Sequence, residues 1–315
     1  MKLYTSVDIA ASEKKIRYSD KILLLGSCFA DNIGAKFEEH YFQTTINPYG
    51  TLYNPASIAL SITDSRCPTA DTRIIHHNGL WHSMMHHGTF SGVDKKEVMA
   101  RCEQSREQLQ GALNEASTIV VTFGTAWVYE MNGEVVANCH KIPANCFVRR
   151  CMTVQEIVDM WQSIVDSMPT KHWIFTVSPI RHIKDGLHAN QVSKAILLQA
   201  VDQLGKSYFP SYEIMMDELR DYRFYAEDML HPSPLAVKYI WECFCSTYMS
   251  KDTQRVMKEW ADIQKGLAHR PFNPDSDAYR RFLSQIVLKI EELKEKFPYF
   301  EVQKELEQCR TLLNT

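Results

Sequence analysis

A chain of 315 residues, 45% hydrophobic and 23% charged, has the composition of an ordinary soluble globular protein able to bury a full core. With 35 basic against 38 acidic residues and a net charge of −3, it has no electrostatic footprint for nucleic acid, and no apolar run approaches a membrane span. Neither nucleic acid nor membrane is therefore an expected partner. Its nine cysteines are scattered without a C-x-x-C pair, which argues against a disulfide framework or a zinc ribbon. The first 20 residues contain no apolar stretch of the secretory type, so the expected location is the cytoplasm.

Residues 1–20 read as a polar lead-in. The unbroken apolar run ending at Leu25 suits a strand over 21–25 buried on both faces of a parallel sheet. Gly26 turns the chain, and helical spacing begins with Ala30, Ile33, Gly34 and Phe37, giving a helix over about 30–40. A second strand fits 41–46 and ends at the turn signature Asn47-Pro48-Tyr49-Gly50, and Asn54-Pro55 starts another helix. Residues 64–93, polar and rich in histidine, read as a loop or hairpin insertion turning at His76-His77-Asn78-Gly79. A helix over about 94–116 carries Met99, Cys102, Leu109 and Leu113 on one side.

The third strand is Thr118–Phe123, followed by a ribbon over 126–136 that turns at Asn132-Gly133. Thr153 and Glu156 form a capping box opening a helix through Ile157, Trp161, Ile164 and Met168. The fourth strand is His172–Val177, a helix covers 190–204, and the run YEIMM at 212–216 makes the fifth strand. Five short apolar strands, each followed by helical material, predict a five-stranded parallel sheet with helices on both faces, a three-layer α/β/α sandwich of flavodoxin-like strand order. This α/β domain occupies 1–250. Residues 251–315 read as a helical C-terminal extension packed on it through Tyr279, Phe282, Leu283, Ile286, Ile290 and Leu293, with a dimerisation surface as the alternative for that stripe. The oligomeric state is not legible.

Two short stretches carry chemistry. The turn after the first strand holds two nucleophile-capable side chains, Ser27 and Cys28, at the carboxyl edge of the sheet where open α/β folds bind ligands. After the fifth strand comes Ala226-Glu227-Asp228-Met229-Leu230-His231-Pro232-Ser233. An Asp and a His three apart can fold back so that the carboxylate accepts one imidazole N–H and leaves the other nitrogen as a base. A nucleophile on the first turn and an Asp-His pair on the last are the parts of an acyl-transfer triad.

With these residues the chain resembles the GSCFA-domain family, whose name spells residues 26–30 here, over most of 20–245. Through its short blocks it also resembles the SGNH (GDSL-like) hydrolase superfamily of esterases, lipases, thioesterases and acyltransferases. The superfamily's first block reads G-D-S and its last D-x-x-H, matched here by Asp228 and His231. The resemblance implies a flavodoxin-like sandwich and a covalent acyl-enzyme. It sets Ser27 at the aspartate and Cys28 at the nucleophile, with Ser27 as the rival after a one-residue shift. A thiol at a helix N-terminus beside a histidine is expected to have a lowered pKa, while a small buried core cysteine remains the alternative.

The superfamily's oxyanion hole also uses a glycine after the second strand, for which Gly50 is the candidate with a plain turn glycine as the equal alternative, and an asparagine after the third. Gly124-Thr125-Ala126-Trp127 stands in that last place, so the asparagine is missing, and either Thr125, Asn47 or Asn54 replaces it as donor or the chemistry is weaker or different. Arg181 and His182, after the fourth strand, are candidates for substrate binding, Arg181 as a clamp on an anionic group, against a surface arginine and a solvated histidine. Of the cluster His76, His77, His82, His86 and His87, only His82 and His86 have a metal-like i, i+4 spacing. Solvated side chains or a polar lid are favoured over a metal site. The expected protein is an acyl-ester hydrolase or acyltransferase without cofactor or metal, acting on a small-molecule or carbohydrate acyl ester; a non-catalytic binding or scaffold protein of the same fold is the alternative.

Overall fold

The computed structural model describes residues 4–67, 73–273 and 276–313. The apolar run becomes β1 (Lys21–Gly26), and the chain passes directly into α1 (Cys28–Glu39), with Ser27 as its N-cap. After β2 (Gln43–Ile46), Asn54 caps α2 (Pro55–Ser65) with proline in its first turn. The histidine-rich insertion is a hairpin of β3 (Ile74–His77) and β4 (Leu80–Ser83), whose turn residues Asn78 and Gly79 both have positive φ. Residues 68–72 of that insertion, and residues 1–3 of the lead-in, lie outside the described residues.

Next come α3 (Lys95–Glu115) and β5 (Thr118–Phe123). The ribbon is β6 (Trp127–Met131) and β7 (Glu134–Val136), and β8 (Val148–Cys151) joins the other edge of β6, an addition that the local pattern of 137–152 did not suggest. The Thr153–Glu156 capping box opens α4 (Val154–Asp166), which leads to β9 (His172–Val177), α5 (Gly186–Leu204) and β10 (Ser207–Phe209). A short α6 (Ser211–Glu213) runs into a π-helical turn, and the chain ends in α7 (Pro234–Tyr248), α8 (Lys251–Ala268), α9 (Asp277–Lys296) and α10 (Gln303–Leu313).

The main sheet has the order β10-β9-β5-β1-β2 and every pairing in it is parallel. Numbered along the chain, that is the flavodoxin-like order 2-1-3-4-5. Alternation along the strands divides the core in two. Ile22, Leu24, Val120 and Ile174 face α1, α7 and the C-terminal helices, whereas Leu23, Leu25, Ile119, Val121, Phe175 and Val177 face the layer of α2–α5. The last three helices close over the first layer: Trp260 is fully buried with its indole N–H on the Glu39 carbonyl at 3.0 Å, and Tyr41 donates to Glu305 at 2.7 Å. No helix among the described residues is long and apolar enough to cross a membrane.

Two expectations need correction. The fifth strand is β10 rather than 212–216, which is helical. Pro210 supplies no N–H to a ladder, and Thr176 and Ser211 tie off the strand end through the carbonyls of Phe209 and Val177. The run YEIMM is apolar because it spans both core layers, with Tyr212 in one and Ile214 and Met215 in the other. On α3 it is Val98 that is buried with Cys102, Leu109 and Leu113, while Met99 is exposed.

Candidate active site

Close backbone packing builds the turn at 26–28. Gly26 has φ +130°, and a Cβ there would lie 2.1 Å from the Thr122 carbonyl oxygen on β5, so no other residue fits without displacement. Its N–H donates to Asn47 Oδ1 at 2.8 Å, and Asn47 Nδ2 donates to Asp31 Oδ1 at 2.6 Å. Thr51 donates to the other Asp31 oxygen at 2.9 Å. The end of β2 thus holds the turn and the first turn of α1 in one hydrogen-bonded frame. Ser27 is completely buried, and its hydroxyl oxygen accepts the Phe29 N–H as a cap. Cys28, the first helical residue, faces a cavity of about 610 Å³. Its thiol is pushed up, not down: burial and the nearby Asp31 carboxylate outweigh the helix N–H groups and Lys194.

The loop carrying Asp228 and His231 contributes Leu230 and His231 to the lining of the same cavity. Asp228 Oδ2 lies 2.5 Å from His231 Nδ1, while Oδ1 accepts the N–H groups of Leu230 and His231 at 2.9 and 3.0 Å. These bonds hold the Asp228 carboxyl down at about 2, so it is ionised and selects the tautomer with hydrogen on Nδ1. Nε2 of His231, a cavity-lining residue, is then left as the base. Met229 takes φ +60° to let the loop fold back. Arg181 anchors the loop: its guanidinium donates to the Met229 carbonyl and lies 4.5 Å over the Tyr225 ring, and its N–H meets the Leu230 carbonyl at 3.3 Å. Arg181 also lines the cavity.

The same cavity is walled by side chains from the small β6–β8 sheet and the start of α5. Arg149 stacks over Trp127 at 4.2 Å and pairs bidentately with Asp185 at 2.6 and 2.5 Å. Lys184 donates to the Tyr129 hydroxyl at 2.8 Å. His182 also lines the cavity, and burial with Lys194 beside it lowers its pKa to about 4, so it is neutral at pH 7. This cavity is of the size that small ligands occupy. Residues 21–244 match the family described as the GSCFA family, and residues 260–315 match the GSCFA domain protein, C-terminal domain.

The chain belongs to the GSCFA family. No curated protein matches it. In this GSCFA-family chain the cavity brings together Cys28, Thr125, Arg181, His182 and His231, with Asp228 behind His231. Ser27 and Gly50 do not line it. Gly50 spends its N–H on the Asn47 carbonyl at 2.7 Å and is pressed against His87, whose Cβ a side chain at Gly50 would meet at 2.4 Å. Thr125 donates its N–H to the Tyr53 carbonyl at 3.0 Å, and its hydroxyl is shared with Ser193. Asn47 is consumed by the turn frame. Asn54 lines the cavity; its Oδ1 accepts the Ser57 N–H at 2.8 Å, and among the described residues its Nδ2 has no hydrogen-bond partner.

Two of the histidines of the insertion, His82 and His86, serve packing. His82 and His86 are buried rather than solvated. His86 stacks on Tyr49 and has Ser83 and Ser105 hydroxyls at 2.7 and 2.9 Å on its two nitrogens, and His82 meets Ser91 and the His77 carbonyl. Among the described residues no three His, Cys, Asp or Glu side chains converge as metal ligands. Arg149, Asp185 and Lys194 had no local signal as site residues, because each gains its role from strands and loops tens of residues away.

Proposed function

We propose that this protein is an SGNH-type acyl-transfer enzyme, an ester hydrolase or acyltransferase working through a thioester at Cys28. The observation that carries the reading is that Cys28 and His231 line one cavity while Asp228 occupies the Nδ1 side of His231. Because the buried thiol has a raised pKa, it needs a base at neutral pH. Nε2 of His231 takes the thiol proton as Sγ attacks the ester carbonyl. The Cys28 N–H at the helix start and the Asn54 amide stabilise the oxyanion. Collapse expels the alcohol, which leaves with the proton from His231. Water or a second alcohol, deprotonated by His231, then cleaves the thioester and regenerates the thiol. The aromatic and cationic wall of Trp127, Tyr129 and Arg149 supports a small-molecule or carbohydrate acyl ester as substrate.

Brief exposure to p-nitrophenyl acetate, followed by intact-mass and peptide mapping, tests the mechanism. Acetyl is expected on Cys28 and is expected to be lost in His231→Ala. Label on Ser27 would make the hydroxyl the nucleophile, and label at neither residue would favour a binding protein that retains the fold.

A further inference from the structure

Lys194 on α5 is 1% exposed, and the proposed chemistry does not use it. Its Nζ donates to the carbonyls of Gly124 and Ser178, both at 2.7 Å, and so bridges the carboxyl ends of β5 and β9. Gly124 abuts the nucleophile turn: a Cβ there would stand 3.3 Å from the Ser27 Cβ and 2.8 Å from the Tyr53 carbonyl oxygen. The ammonium is therefore held at the carboxyl edge of the sheet, on the carbonyl of a residue packed against the turn that carries the thiol. Among the described residues no carboxylate lies within ion-pair distance of it. Two carbonyl dipoles solvate its protons without cancelling its charge, and burying a charge without a counter-ion is expensive. A clamp between two strand ends needs only a neutral donor; a lysine there brings a charge as well.

We propose that Lys194 is the internal counter-charge of Cys28, a positioning residue that stabilises the thiolate. The inference rests on Cys28 as the nucleophile. The Tyr212 ring on α6 lies 5.4 Å from the ammonium, and Cys28 on α1 and His182 in the loop after β9 are the titratable groups coupled to it electrostatically. His182 is kept neutral and does not compete, while the aromatic face favours the cation. The Asp31 carboxylate opposes the thiolate. Burial brings Lys194 down to about 7, and the negative sulfur is the group that draws it back up. Thiolate and ammonium therefore support each other reciprocally, as linked titrations must. Lys194 is in this way matched to a site whose sulfur alternates between thiol, thiolate and neutral thioester.

The pH profile of iodoacetamide alkylation at Cys28, read by peptide mass, tests this in the full chain. In Lys194→Met the midpoint is expected to rise by about one unit or more, with about a tenfold lower rate at pH 7.5. A folded Lys194→Met with an unchanged profile overturns the proposal. If that variant does not fold, lysine labelled with 13C at the ε-carbon reports the reciprocal effect. Its Lys194 resonance should titrate at lower pH in Cys28→Ala than in the wild type, and identical midpoints overturn the proposal. Ester labelling keeps the two ideas separate. A shifted alkylation profile without an acetyl adduct supports the counter-charge and removes the acyl-transfer reading, whereas an adduct with an unshifted profile does the reverse.

Discussion

Asn54 uses the two ends of one amide differently: Oδ1 caps α2, and Nδ2 is left at the cavity beside Cys28. Serine is as good an N-cap as asparagine but removes the amide donor without adding charge. Asn54→Ser is therefore expected to melt within a few degrees of the wild type while acetylation of Cys28 slows by roughly two to three orders of magnitude. An unchanged rate would remove Asn54 from the oxyanion site. The Asp228–His231 pair was legible at this scale because a carboxylate and an imidazole three residues apart close on each other locally. The choice between Ser27 and Cys28 was not, since which of two adjacent residues meets solvent depends on the φ of Gly26 and the first turn of α1. The thiol pKa was also misjudged. The helix start lowers it as expected, but burial and Asp31 raise it further, and neither can be seen in the turn itself.

Among the elements, the β1–turn–α1 unit depends most closely on one residue. Alanine at Gly26 would combine a positive φ with a Cβ 2.1 Å from a backbone oxygen of β5, so Gly26→Ala is expected to cost about 2–4 kcal/mol. Gly133, in the β6–β7 turn, has φ +80° with nothing within 4 Å, so Gly133→Ala should cost only about 1–2 kcal/mol. Urea midpoints of the two variants make the comparison, and equal losses would mean that the contact with Thr122 is easily relieved. Helices with strong start signals, such as the Thr153–Glu156 box and Asn54-Pro55, were readable from sequence. The run at 212–216 was not, because short apolar stretches buried on two sides have no periodicity that separates strand from helix.

For the whole molecule, the buried histidines set an acid limit. His86 is lowered to about 3 and His140 to about 4, chiefly by burial, and His182 is lowered to about 4 as well. In the unfolded chain they titrate near about 6.5, so below that pH the unfolded state takes up protons that the folded state refuses. Their contribution is complete above about 6.5 and is lost as pH falls, by up to ~1.4 kcal/mol per unit for each histidine, until the folded values are reached. As these histidines titrate, the urea midpoint should decline from pH 6.5 to 5. His86→Gln is expected to make that decline shallower, and an unaltered slope would exclude His86 as a source.

The sequence by itself determined the layer plan, the strand order and the two loops at the sheet's carboxyl edge. Those features follow from local apolar runs, turn residues and the handedness of crossovers, all written in contiguous stretches. Tertiary structure decided which of the turn residues faces the cavity, that Gly50 is spent on its own turn and that Arg181 braces a loop. It also decided that Lys194 bridges the carboxyl ends of β5 and β9. Each of these depends on desolvation and on hydrogen-bond partners brought together by packing, and neither quantity exists until the chain has folded.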